Sequence, residues 1–159
     1  MDSKHLVSQL LPGGKIPYGW LEMMTNRFIN YSLIYHTEVQ VDIMYDPAAH
    51  AYWLDIPKQH VGEQYVIPMT DLNVQRKNVF VGSIHSHQRF APYPSATDNL
   101  SEVSPHIYGR FGNYRQEVDA ETVIDEDHFM FRTCVNDRFY DLNLWDIFEK
   151  PTNVKEESL

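Results

Sequence analysis

Two histidines, a serine and an aspartate form a short pattern that could bind a metal ion. His85 and His87 are separated by one residue, and Ser95 and Asp98 follow after a loop. On a β-strand, residues i and i+2 project from the same face, so both imidazoles can reach one ion. Two histidines and one carboxylate make up the protein ligands of a catalytic zinc site, in which water takes the fourth position. Bound Zn²⁺ lowers the pKa of that water to about 7.

The elements that must position these residues follow from the local sequence. The nearly continuous apolar run over residues 78–85 predicts a central strand that ends at the first histidine. Residues 88–94 contain two prolines and two aromatic residues, which favours a loop. Ser95, with Asp98 three residues later, resembles a capping box and predicts a helix over residues 95–102.

The rest of the chain predicts a sheet and a second helix. Apolar residues at helical spacing predict an amphipathic helix over residues 20–35, with a core stripe formed by Trp20, Met23, Met24 and Phe28. Strands are predicted at 38–45, 52–56, 106–111, 129–135 and 139–144, an extended segment at 64–68 and a helical turn at 146–149. The fold class is therefore α/β (α+β), one domain over residues 1–150 with a mixed β-sheet flanked by helices. Residues 151–159 are expected to form a flexible C-terminal tail.

Composition limits the classes of function. The 159 residues include 13 Lys and Arg against 22 Asp and Glu, a net charge of −9 that disfavours general binding to nucleic acid or anionic membranes. The single Cys134 excludes an intramolecular disulfide and a zinc site with several cysteines. There is neither an apolar run of about 18 residues nor the apolar stretch of a signal peptide, so we expect no membrane span and a cytoplasmic location.

The pattern His-Ser-His, seven residues, then Ser-x-x-Asp resembles the metal motif of the JAMM (MPN-plus) zinc metalloproteases of the Mov34/MPN/PAD-1 superfamily. The motif covers residues 85–98, and the order of elements over most of 20–148 is similar to that of small stand-alone bacterial or phage members. The resemblance implies an MPN/JAB-like domain in which His85, His87 and Asp98 bind Zn²⁺. It also implies that Ser95 orients water and stabilises the tetrahedral intermediate.

The same resemblance requires a glutamate on an earlier strand as general acid and base. Glu38 opens the first predicted strand, directly after the long helix, and lies on the polar face of that strand. It is the favoured candidate because this is where the family that the motif resembles places its glutamate, and a polar strand face is tolerated where it lines a cleft. Three alternatives remain, namely Glu22, Glu63 and Glu102.

One departure from the motif concerns Gln88, which stands where many members have proline directly after the second histidine. It is expected to change the stiffness of the loop and not the ligand set. The resemblance implies a hydrolase, an isopeptidase-like metallopeptidase that cleaves an amide or isopeptide bond in a peptide or ubiquitin-like protein. Two other functions stay open, a non-catalytic MPN-type protein-interaction module and a RadC-like role in DNA metabolism. The substrate and the oligomeric state also stay open.

Overall fold

A computed structural model describes residues 2–36, 38–56, 59–61, 66–68, 77–88, 90–115 and 118–152. Its helices are α1 (Ser3–Leu10), α2 (Tyr18–Tyr35), α3 (Ala96–Ser101) and α4 (Leu144–Ile147), with a 3₁₀ turn at Ala120–Thr122. Its strands are β1 (Gln40–Asp46), β2 (Ala51–Asp55), β3 (Gln59–Val61), β4 (Val66–Pro68), β5 (Val79–Ser86), β6 (Ile107–Phe111), β7 (Phe129–Val135) and β8 (Arg138–Leu142).

Six of these strands form one mixed sheet in the order β2-β1-β5-β6-β7-β8. The β5–β6 pair is parallel, and the other four pairs are antiparallel. The strand that carries the histidine motif therefore lies in the interior of the sheet, as its apolar sequence predicts. β3 and β4 pair with each other as a separate two-stranded sheet.

The two faces of the six-stranded sheet differ in polarity. On one face, Phe111 stacks on Phe28 of α2 at a ring distance of 5.7 Å and on Phe129 of β7 at 4.4 Å. This face belongs to the main apolar core. The opposite face carries His85, Arg110 and Arg132, and α3 lies against it through ion pairs and hydrogen bonds. The polar face is the one that can hold a reactive site.

The predicted mixed sheet flanked by helices is confirmed, and most element bounds agree within two residues. The extended segment predicted at 64–68 appears as β4 over its described part, with β3 as an unpredicted partner. Residues 64–65 and the tail residues 153–159 lie outside the described residues. Among the helices that the structure describes, none has both the length and the apolar character needed to cross a bilayer.

The predicted core stripe of α2 needs one correction. Met23 is 46% exposed, whereas Met24 and Phe28 are buried as predicted and Trp20 is partly buried. The helix buries a face that starts from Leu21 and continues through its later turns, with Met24, Thr25, Phe28, Ile29 and Ser32. Thr25 and Ser32 are polar, so an apolar pattern does not predict their burial, and the buried face is rotated around the helix from the expected stripe. The Thr25 hydroxyl is satisfied inside the helix, because it donates to the Leu21 carbonyl at 2.7 Å.

Candidate metal centre

β5 brings the two histidines to one side of the sheet. His85 is the penultimate residue of β5, His87 follows the strand directly, and their ring centroids are 5.5 Å apart. The pairing with β6 continues beyond the strand, because the His87 N–H donates to the Phe111 carbonyl at 2.6 Å. The spacing of two residues thus places both imidazoles on the polar face, as strand geometry requires.

The ring of His87 is oriented by the loop that follows it. Its Nδ1 lies 3.1 Å from the Ala91 carbonyl oxygen, which can only accept a hydrogen bond. Nδ1 therefore carries the proton, and the lone pair of Nε2 is available to a metal ion. A backbone carbonyl on the second ring nitrogen is a common way in which proteins fix the tautomer of a metal-binding histidine.

The loop itself depends on two residues with special backbone requirements. Gln88 has φ +56°, a value that the proline ring does not permit, and its buried side chain accepts a hydrogen bond from Ser32 Oγ at 3.1 Å. A Cβ on Gly112 would lie 2.3 Å from the Phe90 carbonyl oxygen and 3.1 Å from the His87 Cβ. Glutamine at position 88, where the JAMM pattern often has proline, thus permits the backbone conformation of this loop and links the loop to α2.

Asp98 is positioned by the start of α3. Its N–H donates to Ser95 Oγ at 3.1 Å and the Ser95 N–H donates to its Oδ2 at 2.8 Å, so the predicted capping box is present. Asp98 Oδ1 lies 3.4 Å from His85 Nε2, and Oδ2 accepts a hydrogen bond from Arg110 Nε at 3.1 Å. Burial alone would raise the pKa of Asp98, but His85, the Ser95 N–H and Arg110 outweigh it and hold the pKa below its ordinary value.

Glu38 reaches the same place from the start of β1. The strand begins at Gln40, two residues later than predicted, and Gln40 pairs with His85 in the antiparallel register. The pairing continues beyond the strand, since the Ser86 N–H donates to the Val39 carbonyl at 3.0 Å. This brings the buried Glu38 beside His87, with Oε1 3.9 Å from His87 Nε2. Burial, and second the charge of Asp98, raise the pKa of Glu38 to about 8.

The alternative glutamates are placed differently. Glu22 is exposed on α2, and Glu63 lies outside the described residues. Glu102 has a carboxylate oxygen within 4.8 Å of ligand atoms of His85 and Asp98, but it is engaged by Arg110 and Arg132. Among the described candidates, Glu38 is therefore the glutamate whose carboxylate faces the two imidazoles.

Two buried arginines lie behind the site and are not predicted by the sequence pattern. Arg110 is 1% exposed and Arg132 is 6% exposed, and both bind Glu102. A signal was present, because Arg110 interrupts a strand that is otherwise apolar or small (Ile107–Phe111). Such a buried arginine needs an acidic partner nearby. That partner could not be identified without the parallel register, in which His85 lies opposite Arg110.

The donor atoms of His85 and Asp98 have the spacing of two zinc ligands, whereas His87 lies farther from Asp98 and forms a group with His85 and Glu38 within 4.8 Å. Two ligand atoms at about 2.0–2.1 Å from a tetrahedral ion lie about 3.3–3.4 Å apart. The separation between His85 Nε2 and Asp98 Oδ1 is 3.4 Å, and that between His87 Nε2 and Asp98 Oδ2 is 3.9 Å. Burial, with the nearby His87 and Arg110, lowers the pKa of His85 to about 4 against the opposing effect of Asp98, which keeps this imidazole neutral as a metal ligand must be.

No protein-family model and no curated protein matches this chain. The function of the chain must therefore be inferred from the geometry of this centre and from the histidine motif.

Proposed function

We propose that this protein is a zinc-dependent hydrolase that cleaves an amide or isopeptide bond. The observation that carries the proposal is the convergence of His85, His87, Asp98 and Glu38 on one face of the sheet, from three separate elements. Glu38, His85 and His87 have ligand atoms within 4.8 Å of one another, and Asp98 lies 3.4 Å from His85 and 3.9 Å from His87. Two imidazoles and a carboxylate are the protein ligands of a catalytic zinc, and here a second buried carboxylate lies beside them. The resemblance of the motif to JAMM metalloproteases supports the same chemistry.

In this mechanism His85, His87 and Asp98 would hold the metal. A zinc ion bound there would polarise the scissile carbonyl and lower the pKa of a water molecule to about 7. The neutral His85 can offer its Nε2 lone pair without first losing a proton, and the hydrogen bond at Nδ1 of His87 directs Nε2 of that ring to the metal. Asp98 contributes one negative charge that its capping box holds in a fixed rotamer.

Glu38 is the proton carrier in the proposal. Its carboxylate takes a proton from the attacking water and returns it to the leaving amine. Such a group works best with a pKa near the operating pH. Burial and Asp98 raise the pKa of Glu38 to about 8, and a cation beside it would lower that pKa towards neutrality.

Ser95 is the proposed donor to the developing oxyanion. Its Oγ accepts the Asp98 N–H, and this leaves the hydroxyl proton available for donation. Its reciprocal hydrogen bonds with Asp98, a proposed metal ligand, support this role. A donor aimed at the charge that develops in the transition state contributes more than one that binds the substrate alone.

The proposal is tested first by metal content. Protein purified without chelator is expected to contain one zinc per chain by elemental analysis, and zinc addition should restore this ratio after stripping. A double variant with His85→Ala and His87→Ala should lose the metal. The matched control removes two imidazoles elsewhere, His5→Ala and His128→Ala, and should keep it. Equal zinc content in the two double variants would contradict the proposed site.

Hydrolysis is tested with the zinc-loaded wild-type protein. Quenched fluorescent peptides and lysine isopeptide conjugates serve as substrates, and cleavage should disappear on chelation and return with zinc. Stoichiometric zinc without cleavage of either substrate class would instead favour the non-catalytic interaction module.

A further inference from the structure

The chain turns sharply directly after His87. The Phe90 N–H donates to the His87 carbonyl at 2.9 Å, which closes a turn with Gln88 as its second residue. Gln88 has φ +56°, in the left-handed region that glycine and asparagine enter more readily than glutamine. Beyond the turn, the Ala91 carbonyl oxygen lies 3.1 Å from Nδ1 of His87. The contact that orients the His87 ring therefore depends on a strained backbone conformation at the next residue.

The side chain of Gln88 indicates how this turn is held. It is 5% exposed, and its Oε1 accepts a hydrogen bond from Ser32 Oγ at 3.1 Å. Ser32 lies on the buried face of α2, 56 residues earlier in the chain. Asparagine would enter the left-handed region more easily, but its side chain is one methylene shorter. Glutamine is less suited to this backbone conformation, and its longer side chain reaches α2.

The other side of the turn lies against the segment that follows β6. The Asn113 N–H donates to the Phe90 carbonyl at 2.8 Å, and a Cβ on Gly112 would lie 2.3 Å from that carbonyl oxygen. The turn is thus held between this segment and α2. Backbone strain persists only where the surrounding structure holds it, and it is frequent at functional sites.

We propose that Gln88 is a positioning residue that selects the tautomer of His87, because its buried hydrogen bond to Ser32 holds the turn in which the Ala91 carbonyl keeps the proton on Nδ1. This inference rests on the proposed zinc centre, in which Nε2 of His87 faces Asp98. Without the carbonyl, the proton can move to Nε2, where it occupies the lone pair that a metal ion needs. Gln88 acts through the backbone of the turn and not by binding a metal ion or a substrate.

Two variants remove this hydrogen bond in different ways. Ser32→Ala deletes the donor hydroxyl, and alanine is well suited to a helix. Gln88→Gly deletes the accepting side chain and leaves a residue that tolerates a positive φ, so no backbone strain is added. The matched control Thr25→Ala removes another buried hydroxyl of α2, which donates to a carbonyl of its own helix. A second control is Tyr114→Phe, because the Tyr114 hydroxyl also interacts with Ser32.

The first measurement is the tautomer of His87 in full-length, metal-free protein. Ring nitrogen-15 shifts and long-range nitrogen–hydrogen couplings report it by NMR at about pH 8.5, above the ordinary titration range of histidine. The wild-type protein and both controls should carry the proton on Nδ1, whereas Ser32→Ala and Gln88→Gly should populate the form protonated on Nε2. In these two variants zinc affinity, measured against a chromogenic chelator, should fall about 10-fold, the lower end of the range for loss of an outer partner of a metal ligand.

The outcomes separate the role of Gln88 from the zinc centre. If Ser32→Ala and Gln88→Gly were less stable but kept the wild-type tautomer, Gln88 would be only structural and the zinc centre would stand. A wild-type ring protonated on Nε2 would also overturn the proposal. If the variants changed the tautomer as expected but the wild-type protein bound no zinc, the proposed function would fail and not the control of the tautomer by Gln88. Either variant is sufficient if circular dichroism shows that the other does not fold.

Discussion

Asp98 and Glu38 are two buried carboxylates beside the same pair of imidazoles, but their surroundings differ. Asp98 accepts hydrogen bonds from a backbone N–H at a helix start and from a buried arginine, and its pKa is lowered. Glu38 comes from the end of a strand pair, and burial together with the charge of Asp98 raises its pKa to about 8. Environments that push the pKa values of two acids apart also separate their roles. Asp98 is suited to bind a cation, and Glu38 to carry a proton.

The difference follows from the secondary structure that carries each residue. The first turn of a helix has backbone N–H groups without partners inside the helix, and these groups stabilise a carboxylate at Asp98. In the strand pair, backbone groups next to Glu38 bind the opposite strand instead, as in the Ser86 N–H to Val39 carbonyl bond at 3.0 Å. The pKa of the carboxyl group at the helix start is therefore lowered, whereas the pKa of the carboxyl group at the strand end is raised.

The largest expected effect comes from Asp98→Asn. Loss of the negative charge removes a proposed metal ligand, so zinc affinity should fall by more than the about 10–100-fold that follows loss of an outer partner. All zinc-dependent cleavage should be lost with it. Competition with a chromogenic chelator measures the affinity, and the exposed Asp119→Asn is the control. If Asp98→Asn bound zinc as tightly as the wild-type protein, Asp98 would not be a metal ligand, and the proposed difference in role between Asp98 and Glu38 would be wrong.

Glu38→Gln should affect turnover and not zinc content. The amide keeps the shape of the side chain but accepts no proton, and general acid–base catalysis is typically worth about 10²–10⁴-fold. Turnover should fall by that factor while the protein retains one zinc per chain. The exposed Glu22→Gln should be active. If Glu38→Gln lost its zinc instead, Glu38 would be a ligand and the proposed division of roles would be wrong.

Part of this site could be predicted from local sequence because its geometry is local. The two-residue period of a strand places His85 and His87 on one face, and a capping box places Ser95 and Asp98 at a helix start. Each of these relations involves residues within a few positions of one another. The same applies to most of the strands, whose apolar patterns are clear.

The remaining features depend on pairing between distant segments. The contact of Arg110 with Asp98 requires the parallel β5–β6 register, and the approach of Glu38 to His87 requires the antiparallel β1–β5 register. Neither register can be derived from a single sequence. The prediction that Met23 lies in the core was wrong for a different reason. The buried face of α2 contains polar residues such as Thr25, so it cannot be recognised from apolar residues alone.

The pH dependence of stability should also separate the two acids. A pKa of about 8 in the folded protein exceeds the unfolded value of about 4.3, so between them the folded state binds more protons and stability falls as pH rises. For Asp98 the pKa is lowered, so its stabilisation is lost as pH falls through the folded pKa. Because Glu38 binds a single proton, it can change the free energy of unfolding by at most about 1.4 kcal/mol per pH unit.

Urea unfolding of metal-stripped protein measures this slope between pH 5 and pH 8. The wild-type free energy of unfolding should fall relative to that of Glu38→Gln as the pH increases. Asp42, whose pKa burial raises to about 6, adds a slope of the same sign to both proteins, so it cancels in the difference. Parallel curves for the two proteins would mean that Glu38 titrates normally.

The smallest effect concerns Ser95, which holds Asp98 and is also the proposed oxyanion donor. An N-cap serine replaced by alanine costs about 0.5–2 kcal/mol, whereas glycine in its place costs only a few tenths. Ser95→Ala should therefore be about 1 kcal/mol less stable than Ser95→Gly, as measured by urea unfolding. Both lack the hydroxyl, so turnover by zinc-loaded protein should fall to the same extent in the two variants. Turnover that instead followed stability, with Ser95→Gly close to wild type, would show that Ser95 serves only to cap α3 and to position Asp98.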